Sequence, residues 1–303
     1  MNRRDFLKTG LLSALAVSAI GKTLNAANAL TNPPALPDLV ALHGGTPESM
    51  WQRGIKEIGG IERFVKKGAK VVIKPNIAWT QPPEYAANTA PELVAAIVRD
   101  VLQAGAAEVI VFDHTCDNGP DCYRISGIAD AAEKAGAKVQ HATDRKAYRK
   151  VAIPQGKKLQ EAEIFAAVID CDTFINVPIL KHHGGAKMSG AMKNLMGIVW
   201  DRRAMHKNGL TDTIPDVLSY RQPDLNVVDA YRMMMDHGPR GGNLRDVALG
   251  KFMLLSTDAV AADAAAVRLL KFDEKDVRYL AAASDRKLGR KDLSKLNIKR
   301  CEM

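Results

Sequence analysis

The stretch CDTFINVPILKHHGGAKMSGAMKNLMGIVW, residues 171–200, decides the fold. Its apolar run FINVPIL predicts a strand, and this run ends abruptly at Lys181 and His183. The two glycines that follow allow a tight turn. Beyond them, apolar residues recur at helical spacing from Ala186 to Val199, which predicts a helix. The stretch therefore predicts a strand, a basic glycine loop and a helix.

A unit of this kind favours negatively charged ligands. The N–H groups at a helix start attract anions, and ligands of open α/β sheets lie beyond the carboxyl ends of the strands. Lys181, Lys187 and Lys193 surround the glycine loop, and three ammonium groups repel one another unless an anion lies between them. On the predicted helix, Ser189 and Lys193 share a face, with Asn194 alongside. We therefore expect a small anionic ligand at this unit.

Predicted strands and helices alternate along the chain. This alternation indicates βαβ units and an α/β fold, with a mainly parallel sheet flanked by helices. Residues 148–164 break the alternation and predict an inserted antiparallel hairpin with a turn at Gln155 and Gly156. Residues 201–223 carry polar, glycine and proline breaks, which predict a loop or flap with a short helix. We expect a single domain over residues 30–303.

Polar side chains follow six of the predicted strands. They are His43, Lys74 with Asn76, Asp113 with His114, Lys181 with His183, Asp229, and Thr257 with Asp258. Because the carboxyl ends of parallel strands meet at one edge of a sheet, these side chains are expected to converge there. The predicted ligand-binding residues are Lys74, Asn76, Lys181, Ser189, Lys193 and Asn194. The predicted catalytic residues are His183 and Asp113.

The segment INVPILKHHGGAKMSGAMKNLMG resembles the signature of the domain of unknown function 362 family. That signature is a strand ending in Lys-Thr-His, followed by Ser or Thr and then by Lys-Asn-Leu-x-Gly. The matching residues are Lys181, His183, Ser189, Lys193, Asn194 and Gly197, whereas His182 replaces the threonine. The resemblance spans about residues 39–270 and includes VVIKPNIAW and MMMDHGPRGG. It implies a fold but no particular reaction.

Histidines and cysteines leave the identity of any cofactor open. His114, His183 and His237 could ligate a metal or transfer protons, but no HExxH or other close ligand pair is present. The four cysteines lack ferredoxin-type spacing, so a metal or iron–sulfur cofactor has no sequence motif here. Cys116 and Cys122 could form a local disulfide in an oxidising compartment.

The N-terminal residues 1–29 resemble a twin-arginine export signal. They contain RRDFLK, a short apolar run and an A-x-A site, and the run is too short for a stable membrane span. We therefore expect the twin-arginine translocase as a partner, a periplasmic location and no permanent membrane span. Without these residues, which hold four basic and one acidic side chain, the net charge falls from +9 to +6. Such mild basicity, with 5% aromatic residues, predicts no nucleic-acid partner.

Two classes of function fit this sequence. In the first, the protein is an exported enzyme that acts on a small anionic ligand or carries a redox or metal cofactor. Lys181 and Lys193 would then hold the anion, and His183 would act as acid and base. In the second, it is a non-catalytic periplasmic ligand-binding or cofactor-maturation protein. A species bound to protein isolated from its native host would distinguish the two classes.

Overall fold

The structure is a computed structural model that describes residues 35–303. The expected twin-arginine signal lies outside the described residues. The strands are β1 Leu39–His43, β2 Lys70–Pro75, β3 Glu108–Asp113, β4 Lys138–His141, β5 Tyr148–Ala152, β6 Glu161–Phe165, β7 Thr173–Val177, β8 Ile179–His183, β9 Lys187–Ser189, β10 Leu225–Met234, β11 Val247–Ser256 and β12 Ile298–Glu302. The helices are α1 Pro47–Glu57, α2 Pro91–Gln103, α3 Gly119–Ile125, α4 Ile128–Lys134, α5 Ala166–Asp170, α6 Ala191–Asn194, α7 Arg202–Asn208, α8 Leu210–Tyr220, α9 Ala259–Leu270 and α10 Arg278–Asp285.

The central sheet is mixed but mostly parallel. Its strand order is β12-β1-β11-β10-β7-β2-β3-β4, and β8 pairs with both β10 and β9. Strand β11 runs antiparallel to β1 and β10, and β9 runs antiparallel to β8. The other pairs are parallel. Strands β5 and β6 form a separate antiparallel hairpin, so the predicted fold class and the inserted hairpin are both confirmed.

Pro178 divides the signature strand into two pieces. Strand β7 lies between β2 and β10, whereas β8 pairs with β10 and with β9. Lys181 and His183 therefore lie within β8 rather than beyond a strand end. The predicted helix from residue 186 is wrong at its start, because Lys187–Ser189 forms hydrogen bonds with β8 as β9. Helical structure begins only at Ala191 and continues as a 3-10 turn to residue 198.

One face of the sheet packs against α1 and α2. Helix α2 begins at Pro91, whose fixed φ suits a first helical position. Its apolar residues recur every three or four positions and are buried, among them Leu93, Ile97 and Val101. Trp51 of α1 is fully buried, and its indole N–H donates to the Asp100 carboxylate of α2 at 2.7 Å. This layer holds β2 and β3 in place, and their carboxyl ends position the site.

The opposite face of the sheet packs against α9. Asp258 caps α9 by accepting hydrogen bonds from the first backbone N–H groups of the helix. Phe112 of β3 stacks on Phe165 at 4.3 Å and so ties the hairpin to the sheet. Residues 201–223, predicted as a loop with a short helix, instead form the two helices α7 and α8. Within residues 35–303, no helix has the length and apolar character needed to cross a bilayer.

Candidate functional site

The carboxyl ends of β2 and β3 open onto a cavity of about 290 Å³. This volume is near the lower end of the range for small-molecule sites. The other walls come from β8, β9 and residues 193–206. All eight residues predicted as binding or catalytic line it: Lys74, Asn76, Asp113, Lys181, His183, Ser189, Lys193 and Asn194. The structure thus brings the predicted residues together, although it gives them different surroundings.

Lys74 and Asp113 form a buried ion pair on the cavity wall. Lys74 Nζ lies 2.8 Å from Asp113 Oδ1, and both side chains are at most 2% exposed. Lys74 Nζ also donates to Asn194 Oδ1 at 3.1 Å, while Asp113 Oδ2 accepts from the Ile77 N–H at 2.7 Å. A methyl group on Gly197 would lie 2.0 Å from Asp113 Oδ1, so only glycine allows this close approach. Asp113 is therefore held by Lys74 and Ile77, and its catalytic role stays a prediction.

Four asparagines link Lys181 to the middle of the sheet through side-chain hydrogen bonds. Lys181 Nζ donates to Asn76 Oδ1 at 3.1 Å, and Asn76 Nδ2 donates to Asn194 Oδ1 at 3.0 Å. Asn194 Nδ2 donates to Asn176 Oδ1, and Asn176 Nδ2 donates to Asn226 Oδ1, both at 2.9 Å. Asn226 Nδ2 donates to a backbone carbonyl of β11 at 3.3 Å. The amide oxygen of each asparagine in this asparagine chain therefore accepts a hydrogen bond from the preceding residue, the one nearer Lys181.

Lys181 and Lys193 reach the cavity without a carboxylate partner. Lys181 is 1% exposed, and its ammonium donates to Asn76 Oδ1 and to the Ala87 carbonyl. Burial lowers the pKa of Lys181 to about 7 and the pKa of Lys193 to about 8. Lys193 keeps part of its surface open, and within residues 35–303 its Nζ has no hydrogen-bond or ion-pair partner. Both amines can therefore change charge near neutral pH.

The imidazole of His183 is held as a neutral hydrogen-bond donor. Its Nδ1 accepts from the Gly185 N–H at 3.0 Å and from the Ala186 N–H at 3.1 Å. An imidazole nitrogen that accepts carries no proton, so the hydrogen resides on Nε2. Burial, followed by the charges of Lys193 and Lys181, lowers the pKa of His183 far below its ordinary value. His183 therefore suits donation to a ligand better than the predicted acid and base role.

The same tautomer makes His183 a poor metal ligand. A metal on Nε2 would require a hydrogen on Nδ1, which would then face two backbone N–H donors. His114 also lines the cavity, and its Nδ1–H donates to the Val199 carbonyl at 3.1 Å, which leaves its Nε2 without a hydrogen. In residues 35–303, no three side chains of the metal-ligating types are grouped to hold an ion. The donor set therefore gives no support to a preformed metal site.

Two cavity residues that the sequence analysis missed lie in α7. Arg202 donates to the His114 carbonyl at 2.7 Å, to the Thr115 carbonyl at 2.5 Å and to Cys116 Sγ at 3.2 Å. None of these acceptors is a carboxylate. His206 is the second residue, and burial followed by the charge of Lys193 lowers its pKa. The signal that was overlooked is Asp201, a helix N-cap residue that accepts from the Ala204 N–H at 2.9 Å.

Several residues predicted at strand ends lie away from the cavity. His43 contacts Glu302, with Nδ1 and Oε2 2.9 Å apart. Asp229 lies inside β10, where it accepts hydrogen bonds from the Ala90 and Tyr231 N–H groups. Thr257 and Asp258 follow β11, which is antiparallel, so they lie at the opposite edge of the sheet. The prediction of one converging edge is therefore wrong for these residues.

Lys187 and His237 also lie outside the cavity. Lys187 Nζ is 4.5 Å from the centre of the Phe272 ring and 3.8 Å from Asp276. The exposed His237 contacts the Asp246 carboxylate at 3.0 Å. The glycine loop therefore contributes two lysines to the cavity rather than three, and His237 has no part in the site.

The chain belongs to the family described as domain of unknown function (DUF362), whose model matches residues 71–268. Its relatives include a protein of Synechocystis sp. called thylakoid-associated protein sll1697. The two are 24% identical over 242 residues, which cover 75% of this chain and 71% of the relative. The family model matches every residue that lines the cavity, and the residues before position 71 lie outside this match.

Two solved structures share part of the architecture. The apoprotein of lactate racemase from Thermoanaerobacterium thermosaccharolyticum matches with a TM-score of 0.40 and 14% identity. That match covers 62% of this chain and 50% of the racemase. A protein of Thermotoga maritima matches with a TM-score of 0.42 and 10% identity, over 80% of this chain and 60% of its own. The chain thus spans between half and three fifths of these two proteins.

Proposed function

We propose that this protein binds a small oxyanion, a carboxylate or a phosphate, in the cavity at the sheet edge. The observation that carries the proposal is the balance of charge. Lys181, Lys193 and Arg202 line the cavity, while Asp113, the one carboxylate among the described lining residues, is paired with Lys74. Like charges enclosed by protein repel one another strongly, and an anion between them removes that repulsion.

The lining side chains have distinct functions in this proposal. Lys193 and Arg202 supply the charge that attracts the anion, and the Nε2–H of His183 donates a hydrogen bond to it. Lys181 takes up a proton as the anion enters, because a negative charge favours its ammonium form. Trp79 and Pro239 form an apolar wall that suits the uncharged part of a small organic anion.

A catalytic function is the second candidate, and one observation favours it. Lys193 is partly open to the cavity, has no partner within residues 35–303, and has a pKa lowered to about 8. Such an amine is suited to proton transfer near neutral pH. A redox or metal cofactor is the weaker form of this candidate, because His183 Nδ1 accepts from two backbone N–H groups and its Nε2 therefore carries the hydrogen.

Thermal unfolding with and without anions tests the binding proposal. Phosphate and small carboxylates should raise the Tm, whereas chloride at equal ionic strength should not. A ligand at 100 times its Kd adds about 2.7 kcal/mol, which is a rise of roughly 5–10 °C for a chain of this size. Lys193→Gln should weaken binding about tenfold and so roughly halve the rise at the same phosphate concentration, whereas the matched control Lys187→Gln should keep the full rise. An equal response of all three proteins would overturn the proposal.

We also propose that the protein is exported to the periplasm by the twin-arginine route. The support is the sequence Arg3-Arg4 before Phe6-Leu7-Lys8 and the apolar run that follows it. Replacing both arginines by lysine should leave the precursor inside the cell. Cell fractionation measures the outcome, and undiminished periplasmic protein in the double variant would contradict this route.

A further inference from the structure

Cys116 is the only cysteine among the described residues that line the cavity, and the binding proposal leaves it unused. Its thiol is exposed and lines the cavity, whereas Cys122 and Cys301 are buried. The Cys116 backbone N–H donates to the Ala78 carbonyl at 2.8 Å, which holds the backbone of this residue. All four cysteines are free thiols, so the local disulfide between Cys116 and Cys122 is not formed.

The surroundings of this sulfur are cationic. Arg202 Nη1 lies 3.2 Å from Cys116 Sγ, and Lys181 and Lys193 line the same cavity. These cations attract an anionic reagent to the cavity in which the sulfur lies. Arg202 uses three of its five N–H groups on the sulfur and on two carbonyls, which leaves two for a ligand.

A second observation points to a ligand beside the sulfur. His183 is 8% exposed and lines the cavity, and its Nε2–H has no protein acceptor within residues 35–303. An N–H that faces a cavity without a protein acceptor is expected to meet an acceptor on a ligand or a water molecule. Arg202, His183 and Cys116 line the same cavity, so a carboxylate bound there lies in the same cavity as the sulfur.

We propose that Cys116 is the nucleophile for covalent capture of small carboxylates that carry a leaving group on the carbon next to the carboxylate. The sulfur forms a bond to that carbon, and the bond from carbon to the leaving group breaks. The leaving group departs with the electron pair, and the thiol proton passes to solvent. This inference rests on the proposed anion site, because the cations of the cavity hold the carboxylate in the same cavity as the sulfur.

Iodoacetate and iodoacetamide form a matched pair of probes that differ in charge. We expect iodoacetate to label Cys116 first in the native full chain, measured by peptide mass spectrometry of all four cysteines. At Cys116, the ratio of the iodoacetate rate to the iodoacetamide rate should be about tenfold higher in the native protein than in the protein unfolded by urea. The reason is that a positively charged cleft raises the encounter rate of anions at least this much. Cys171, partly buried and outside the cavity, is the internal control.

Removing one cavity charge should affect the anionic probe selectively. Lys193→Gln is expected to lower the iodoacetate rate several-fold with little change in the iodoacetamide rate, while Lys187→Gln changes neither. Because a variant can fail to fold, protection of the native wild type by phosphate at constant ionic strength provides an independent measurement. Equal rate ratios in native and unfolded protein, or preferential labelling of Cys171, would overturn the inference. If phosphate still raised the Tm in that case, the anion site would stand without the nucleophile.

Discussion

The two fully buried lysines of the cavity have opposite surroundings. Lys74 contacts the Asp113 carboxylate at 2.8 Å and lies beneath Gly197, so its charge is balanced within the protein. Lys181 has only an amide oxygen and a carbonyl as acceptors, and it shares the cavity with Lys193. A charge with a buried partner stabilises the unliganded fold, whereas a charge without one favours a ligand. The comparison separates a lysine that is paired within the protein from a lysine in the same wall that is available to the proposed ligand.

Removing the partner of Lys74 is expected to have the largest effect. Asp113→Asn leaves a buried ammonium without its counter-ion, which should lower the free energy of unfolding by about 3–5 kcal/mol. Urea denaturation measures this loss. The control is Asp121→Asn, which removes an exposed ion pair with Arg124 and should cost less than about 1 kcal/mol. Equal losses in both variants would remove the distinction between the two lysines.

A methyl group on Gly197 tests the same ion pair from the outside. In Gly197→Ala the new Cβ would lie 2.0 Å from Asp113 Oδ1 and 2.6 Å from Lys74 Cε, so the pair or the 3-10 turn must move. We expect a loss of about 1–3 kcal/mol, as for other overpacked sites. Gly68→Ala is a useful contrast, because its positive φ causes backbone strain while no atom lies within 4 Å of the new Cβ. A larger loss at Gly68 than at Gly197 would contradict the steric argument.

Replacing Lys181 should change stability in the opposite direction. The folded-state pKa of Lys181 is about 7 against an ordinary 10.5, so the unfolded chain binds more protons between these pH values. Wild-type stability should therefore rise with pH across this window. Lys181→Met should stabilise the unliganded protein by about 1–2 kcal/mol at pH 7 and reduce the slope. Denaturation at pH 7 and pH 10 measures both effects, and an unchanged slope would count against the assigned charge state.

The smallest expected change in stability is that of Lys193→Gln. Its pKa is lowered less than that of Lys181 and its side chain is partly open, so by the same linkage its replacement should raise the free energy of unfolding at pH 7 by about 1 kcal/mol or less. Phosphate affinity, in contrast, should fall about tenfold, and it should fall in the wild type as pH rises past 8 and Lys193 loses its proton. Calorimetric titration at pH 7 and pH 9 checks both statements. Comparing the phosphate affinities of Lys193→Gln and Lys181→Met would show whether both lysines contact the anion.

The sequence allowed much of the fold to be predicted because local patterns decide it. Residues close together in the chain are enough to predict three of the elements. These are the apolar strand β7, helix α2 with its proline start, and the hairpin around residue 156. The predicted helix from residue 186 was wrong because Lys187–Ser189 pairs with β8. The helical spacing of apolar residues does not reveal that this segment pairs with a strand, because the pairing depends on the turn at the two glycines.

The prediction of the site was limited by strand direction and by long-range contacts. Lys74 and Lys181 were identified because each was predicted at a strand end, and Lys193 because it shares a predicted helix face with Ser189 and matches the family signature. Asp258 was misplaced because the direction of β11 depends on β10, which the local sequence does not specify. Arg202 was missed because its acceptors are backbone carbonyls more than 80 positions away in the chain. Polar residues whose partners are distant in sequence need the fold before their function can be assigned.

The asparagine chain makes its four members a cooperative unit. An amide that rotated by half a turn would present its NH2 group to the NH2 group of its neighbour, so none of the four can flip alone. Substitutions along it should therefore be non-additive: once Asn194 is replaced, the loss of Asn176 removes bonds that are already broken. Amino-acid changes in this unit are accordingly coupled, and a tolerated replacement of one asparagine is expected to require a compensating replacement of the next.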